Sequence, residues 1–154
     1  MKYIKTYEKV IAAKSEEAKR NPLVGFAFKL LKIVRSVAKD LVDPKLLIAN
    51  GKFEDDGYIT IRCQQRGLAT FFSITLDYDE RLDGGKGTMV VRANRNNNIK
   101  HFFNFISEQL DSYIADKKLE DNYLRFNFSL EDTNDIIKRL EEYDIYLTAK
   151  KFNI

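Results

Sequence analysis

The stretch GYITIRCQQRGLATFFSITLDYD, residues 57–79, decides the fold that the sequence predicts. Apolar and polar residues alternate on both sides of the dipeptide Arg66-Gly67. This alternation is typical of two antiparallel strands joined by a hairpin, with one face buried and the other turned outward. The predicted inward set comprises Ile59, Ile61, Cys63, Leu68, Phe72, Ile74, Leu76 and Tyr78.

A two-residue loop at Arg66-Gly67 predicts the register of this hairpin. It sets Ile61 opposite Phe72 and Ile59 opposite Ile74, so that the apolar sets of the two strands coincide on one face. Because side chains alternate along a strand, the polar sets then coincide on the other face.

Further strands are predicted on either side of the hairpin. A three-residue loop, Asp55-Asp56-Gly57, sets Phe53 opposite Ile59 on the inner face. The stretch GTMVVRA, residues 87–93, follows the loop DERLDGGK and alternates in the same way. Its inward residues are Met89, Val91 and Ala93. Together these segments predict an antiparallel β-meander of at least four strands.

Two helices are predicted before the meander. Residues 3–20 have helical spacing that fades toward their end, which indicates a partly exposed helical arm. Asn21-Pro22 restarts a second helix that ends near Asp43-Pro44, because asparagine caps helices and proline suits a first turn. Its apolar stripe comprises Leu23, Ala27, Leu30, Leu31, Val34, Val37, Ala38 and Leu41, and its opposite face carries Lys29, Lys32, Ser36 and Lys39.

The last third of the chain is predicted to contain two helices and two strands. Residues 94–118 switch to helical spacing, and residues 123–129, YLRFNFS, alternate as a strand. Ser129 and Asp132 resemble a capping box for a final helix, and residues 145–152, IYLTAKKF, are predicted to form a closing strand. The buried residues of the final helix are predicted to be Ile136, Ile137 and Leu140.

The length and composition predict a single α+β domain over residues 1–154, with helices packed mainly on one side of the sheet. Hydrophobic residues make up 44% and charged residues 32% of the chain, a balance that excludes a disordered protein. The only cysteine, Cys63, has no internal partner for a disulfide, and the sequence shows no secretory or spanning segment. We therefore expect a cytoplasmic protein.

Catalytic and metal-binding motifs are not visible in the sequence. The only histidine, His101, shares no local motif with Cys63, so a pair of the two would have to form in space. Residues 77–85 space three aspartates ahead of glycines but do not have the helix flanks and closing glutamate of a calcium loop, which favours a solvated hairpin loop. The sequence predicts no metal and no cofactor.

The predicted outer face of the sheet carries arginine and aromatic residues, with Arg62 opposite Phe71. Such residues are enriched in protein interfaces, and sheets also use them to hold phosphates and to stack bases. The alternatives are a local cation–π pair between Arg62 and Phe71 or a helix that covers this face. The predicted binding residues are Tyr58, Arg62, Phe71, Arg92, Tyr123 and Arg125, with Ser73, Thr75 and Asn127 on the same face.

The positive charge of the chain is concentrated near its beginning. Lys and Arg outnumber Asp and Glu by 12 to 5 over residues 1–52, but the ratio is 8 to 11 over residues 100–154. Lys29, Lys32 and Lys39 form a basic edge on the second predicted helix, which is a secondary candidate surface for an acidic partner. Because the apolar stripe of that helix is needed to cover the sheet, we expect no stable membrane association.

The first eight residues, MKYIKTYE, and the abundance of Lys, Asn, Ile and Phe resemble small accessory proteins of large tailed phages. This resemblance implies a phage origin and assigns no functional residue. The sequence favours a non-enzymatic protein that binds another macromolecule, first of all a protein. The alternatives are a nucleic-acid-binding protein that uses the arginine-bearing sheet face, and a small hydrolase or transferase whose site is assembled by the fold.

Overall fold

A computed structural model of the chain describes residues 21–53, 57–81, 85–94 and 99–151 and shows an α+β fold. The helices are α1 (Val24–Lys39), α2 (Lys100–Gln109), α3 (Thr133–Glu141) and α4 (Tyr143–Lys151). The strands are β1 (Leu47–Phe53), β2 (Ile59–Gln65), β3 (Thr70–Asp79), β4 (Lys86–Ala93), β5 (Ile114–Lys118) and β6 (Tyr123–Phe128). Short 3-10 turns lie at Asp111–Tyr113, Leu119–Asp121 and Leu130–Asp132.

The strands form one antiparallel sheet of six strands in the order β1-β2-β3-β4-β6-β5. The predicted meander is confirmed as β1 to β4, and the predicted strand at residues 123–129 is confirmed as β6, which pairs with β4. The strand β5 closes the far edge of the sheet, beyond β6.

The register of the β2–β3 hairpin differs from the prediction by two residues. Ile61 pairs with Ile74 rather than with Phe72, which pairs with Cys63 instead. The cause is a longer connection: the N–H of Leu68 donates to the carbonyl of Gln65 at 2.9 Å, and the strands are not paired between them. Because a shift of two leaves these positions on the same face, Ile59, Ile61, Cys63, Phe72, Ile74 and Leu76 are buried as predicted. The predicted inward position of Leu68 was wrong: it lies in the longer connection and is 61% exposed. The predicted pair of Phe53 with Ile59 is confirmed.

Phe71 does not lie on an exposed outer surface as predicted. Thr70 pairs with Gln64 and Phe72 pairs with Cys63, so no residue of β2 remains opposite Phe71. An extra residue of this kind forms a β-bulge, which disrupts the strict alternation of side chains. Phe71 is only 4% exposed and belongs to the hydrophobic core, so its predicted place opposite Arg62 was wrong.

The helix α1 confirms the second predicted helix, although it ends at Lys39 rather than near Asp43-Pro44, and it covers the inner face of the sheet. The ring of Phe26 on α1 lies 5.5 Å from the ring of Phe128 on β6, measured between centroids. The apolar stripe of the helix, from Leu23 to Ala38, is buried. Arg35 donates from Nε and Nη2 to the carbonyl of Ala49 at 3.1 and 2.7 Å, which ties α1 to the edge strand β1. Within the described residues α1 is the only helix before the sheet, and the predicted helix at residues 3–20 lies outside them.

Two predictions for the last third of the chain were wrong. The helix predicted over residues 94–118 ends at Gln109, and Ile114–Lys118 form the edge strand β5 because β6 offers them a free edge. The predicted closing strand at residues 145–152 falls on the helix α4, where Tyr143 and Tyr146 face Phe105 at 4.9 and 5.0 Å between ring centroids. Two aromatic residues three positions apart lie on one side of a helix, and this spacing outweighs the alternation read from the sequence.

The final helix is confirmed as α3, in which Ile136, Ile137 and Leu140 are buried. The predicted capping box precedes it. The backbone N–H of Ser129 donates to Oδ2 of Asp132 at 2.8 Å, and its hydroxyl donates to the same oxygen at 2.9 Å.

We expect Gly87→Ala to destabilise the fold, because a Cβ atom at this position of β4 would overlap the ring of Phe128 on β6. The ring is 4% exposed and is held against Phe26, so it has little room to move. Overpacking of this kind costs about 1–3 kcal/mol of the free energy of unfolding. Thr88→Ala on the same strand is the control, and equal losses for the two variants in a denaturant titration would contradict this packing.

Candidate functional site

The outer face of the sheet, opposite the face that α1 and α2 contact, carries a row of residues that crosses all six strands. Directly paired residues on neighbouring strands place their side chains on the same face. The consecutive partners are Asn50, Arg62, Ser73, Arg92, Tyr123 and Lys118. We call these six residues the basic row, because three of them are cationic and none is acidic.

The arginines of this face are free of ion pairs with other described residues. Arg62 and Arg92 in the basic row, and Arg125 two positions beyond Tyr123 on β6, are exposed. No side-chain hydrogen bond or ion pair joins any of these guanidinium groups to another described residue. Because neighbouring strands lie about 4.8 Å apart, Arg62 and Arg92 are separated by roughly 10 Å across the sheet. These three guanidinium groups are therefore spaced positive charges without an ion pair among the described residues, although Asp116 on β5 is the strand partner of Arg125.

Tyr123 lies between two cations from the neighbouring strands. The Cζ atom of Arg92 on β4 is 5.1 Å from the centroid of its ring, and the Nζ atom of Lys118 on β5 is 5.6 Å from it. Each cation–π contact contributes about 0.5–1 kcal/mol at an exposed site and restrains the flexible cationic side chain. Lys118 also lies 4.0 Å from a carboxylate oxygen of Asp116, a weak pair because the lysine side chain is 60% exposed.

The turn between β5 and β6 fixes this end of the sheet. Asn122 adopts the left-handed conformation with φ of 51°, which asparagine tolerates better than most residues. Its carbonyl accepts a hydrogen bond from the N–H of Ala93 at 3.1 Å, so the turn is held against the end of β4. A shallow depression of about 520 Å³ results, and it is lined by Arg92, Ala93, Lys118, Asp121 and Tyr123.

The structure brings together only some of the predicted binding residues. Arg62, Arg92 and Tyr123 share the basic row, and Arg125 lies beside it. Tyr58 is 39% exposed but precedes β2, four residues from Arg62 and so about 13 Å along the strand direction. Lys118 was not among the predicted binding residues, because residues 94–118 were predicted to be helical.

The secondary basic surface is present on α1. Lys29, Lys32 and Lys39 are all exposed on this helix, while its apolar stripe is buried against the sheet. None of the helices within the described residues is both long enough and apolar enough to cross a membrane.

The two residues considered for nucleophilic catalysis differ in their environments. Cys63 is fully buried, and burial raises the pKa of its thiol to about 12, although the charge of Arg35 acts in the opposite direction. A thiol of this kind is protonated and inert near neutral pH. His101 is exposed on α2. The geometry therefore gives no support to a Cys–His nucleophile.

In the loop after β3, the carboxylate of Asp79 makes a local contact with Arg81. Asp79 accepts hydrogen bonds from the backbone N–H and from Nε of Arg81 at 3.0 and 3.1 Å, and these bonds lower the pKa of Asp79. Among the described residues there is no group of three or more His, Cys, Asp or Glu side chains placed to hold a metal ion.

A polar cluster on the helical side has a structural role. Oδ2 of Asp135 accepts hydrogen bonds from the hydroxyl of Tyr113 at 2.6 Å and from Nε of Arg139 at 2.9 Å. Arg139 also donates from Nη1 to the carbonyl of Gln109, the last residue of α2, at 3.1 Å. The cluster joins the end of α2 to α3. Its hydrogen bonds raise the pKa of Tyr113 to about 12 and lower the pKa of Asp135.

We expect the stabilising effect of Asp135 to disappear in acid. Because its pKa in the folded protein lies below the ordinary value of 3.8, its contribution is present above that value and is lost as the pH falls through the folded pKa. Asp135→Asn should therefore be less stable than the wild type near neutral pH, and the difference should narrow in acid. Chemical unfolding at several pH values measures this difference, and a constant difference would show that the carboxylate charge contributes nothing.

Comparison with protein-family models, with curated proteins and with solved structures gave no match to this chain.

Proposed function

We propose that this chain is a non-enzymatic binding protein that recognises another protein through the outer face of its sheet. The observation that supports this proposal is the basic row with its exposed arginines, which have no carboxylate partner among the described residues. Arginine and tyrosine are enriched in protein interfaces, where arginine forms bidentate contacts with carboxylates and tyrosine supplies rigid contact area.

Two features favour a protein over a nucleic acid as the partner. The ring of Tyr123 is flanked by Arg92 and Lys118, so it is poorly placed to stack on bases, and Phe71 is buried. Asp116 also lies beside Lys118, and its charge would repel the continuous charge of a phosphate backbone. A protein can place separate carboxylates near the cations and avoid this residue.

Nucleic-acid binding is the second candidate, because three arginines without an ion pair to any described residue share one sheet face. Salt distinguishes the two partners. Binding to nucleic acid should fall by orders of magnitude between roughly 50 and 200 mM salt through the release of counterions. Binding to a protein that also makes apolar contacts should depend less steeply on salt.

The proposal includes the setting in which the protein acts. The single cysteine supports a cytoplasmic location, and the opening MKYIKTYE supports an accessory role in a phage. Since the apolar stripe of α1 is buried in the fold, we do not propose that this helix lies on a membrane.

Affinity capture from the native cell, with the wild type beside a variant of the outer face, tests the proposed function. The retained proteins and nucleic acids are identified with and without nuclease treatment. A protein that the wild type retains after nuclease treatment, and that Arg62→Ala/Arg92→Ala/Arg125→Ala does not retain, supports the proposal. Partners retained equally by both forms contradict it.

A further inference from the structure

We infer that Arg92, Tyr123 and Lys118 form an anchor site for the carboxylates of an acidic segment in the partner protein, with Tyr123 as a positioning residue that holds the two cations. This inference rests on the proposed function and names the chemistry of the partner at one place on the outer face. The three residues are successive partners on β4, β6 and β5, and we refer to them as the anchor site.

The backbone around the anchor site is fixed before any partner binds. Arg92 and Tyr123 are paired across β4 and β6, and Tyr123 and Lys118 are paired across β6 and β5. The hydrogen bond from Ala93 to Asn122 closes the same end of the sheet. Groups presented by such a scaffold lose little freedom on binding, so more of the interaction energy contributes to affinity.

The ring of Tyr123 limits the distance between the two cations. Arg92 and Lys118 lie 5.1 and 5.6 Å from the same centroid, so their charges cannot be farther apart than the sum of these two distances. Long cationic side chains are otherwise mobile at a surface, and ordering each of them on binding reduces the affinity. Tyr123 reduces this cost because it restrains both side chains in advance.

The anchor site retains positive charge for an anion. A cation–π contact leaves the charge of the cation intact, and Arg92 has no ion pair with any described residue. The contact between Lys118 and Asp116 is 4.0 Å long and lies largely in solvent, so an incoming carboxylate can compete with it. Arg125, two positions beyond Tyr123 on β6 and opposite Asp116 on β5, is exposed and adds a further positive charge to this part of the face.

The charge of the site also selects its occupant. Asp116 lies beside Lys118, so this place accommodates separate carboxylates better than a continuous run of negative charge. Residues 1–20 of the chain carry six Lys or Arg against three Glu, a charge that does not suit this surface. An acidic segment of another protein is the occupant that the charge pattern favours.

Titration of the isotopically labelled full chain with the peptide acetyl-Gly-Glu-Glu-Gly-amide, followed by amide NMR shifts, tests the anchor site. We expect saturable shifts that are largest at Arg92, Lys118 and Tyr123, and smaller shifts with a short oligothymidylate. Tyr123→Phe keeps the ring and should bind the peptide within about twofold of the wild type. Tyr123→Leu removes the ring and should bind about fivefold more weakly, because the two cationic side chains are then no longer ordered before binding.

The spectra of both Tyr123 variants also report whether the fold is intact. Equal binding by Tyr123→Leu and the wild type, or stronger binding of the oligothymidylate, would overturn the anchor site. Shifts centred on Arg62 and Arg125 would also overturn the anchor site, but they would support binding through the outer face of the sheet. Shifts centred on α1, or no shifts, would contradict both the anchor site and the proposed function. Self-association that Arg92→Ala/Lys118→Ala abolishes would identify a second copy of the chain as the occupant and contradict the inference.

Discussion

Phe72→Ala should lower the free energy of unfolding by about 3–5 kcal/mol, a large share of the 5–15 kcal/mol that is typical of a domain. Phe72 is 1% exposed on the central strand β3, and its ring lies 5.6 Å from that of Phe102 on α2. Truncation removes the ring contact with Phe102 and leaves a cavity, because the surrounding strands are fixed by hydrogen bonds on both sides.

A substitution of the neighbouring residue, Phe71, provides a second test of the packing around β3. The alternation of the sequence predicts that Phe71→Ala has a small effect on stability. Because Phe71 is only 4% exposed at the bulge, we expect this variant to lose about as much free energy of unfolding as Phe72→Ala. Leu68→Ala is the control, since Leu68 is 61% exposed and should change the stability by less than about 0.5 kcal/mol. A small loss for Phe71→Ala in a denaturant titration would restore the simple alternation and contradict the bulge.

Arg62→Ala/Arg92→Ala/Arg125→Ala should weaken binding of the captured partner by about 100-fold or more, because each interface hot spot contributes about 2 kcal/mol and tenfold corresponds to about 1.4 kcal/mol. Folding should be little affected. The three side chains are exposed and have no ion pair with a described residue, so each substitution should change the stability by about 0.5 kcal/mol, or slightly more at Arg92, which contacts Tyr123.

A matched control distinguishes local contacts from net charge. Lys29→Ala/Lys32→Ala/Lys39→Ala removes the same number of positive charges from α1, on the other side of the sheet. This variant should bind the captured partner within a few-fold of the wild type in calorimetry at physiological salt. Similar losses for the two triple variants would mean that only the overall charge attracts the partner.

The sequence was sufficient to predict the features that depend on alternation. The meander, the buried face of β2 and β3, the stripe of α1 and the capping box of the 3-10 turn before α3 all follow from short-range periodicity or from local hydrogen bonds. The two-residue shift of the hairpin was not predictable in the same way, because it keeps Ile59, Ile61, Cys63, Phe72, Ile74 and Leu76 on their predicted face. Only the length of the connection between Gln65 and Leu68 and the bulge at Phe71 decide between the two registers.

The candidate site was predicted only in part, because its geometry also depends on how distant strands pair. Arg62, Arg92 and Tyr123 were placed on one face by alternation alone, and their direct alignment depends on the register. Lys118 was missed because β5 is short and charged and forms a strand only where β6 offers an edge. Pairing between distant segments decides such elements, and intrinsic propensity is a weak guide to them.

Cross-saturation NMR between the unlabelled captured partner and the deuterated, nitrogen-15-labelled chain tests most directly whether the outer face of the sheet is the binding surface. Saturation passes only between protons in close contact, so it locates the interface without any substitution. We expect the largest losses of amide signal on β4, β6 and β5 around Arg92, Tyr123 and Lys118, with smaller losses near Arg62. Losses confined to α1 around Lys29 and Lys32, with β4 and β6 unaffected, would contradict the account.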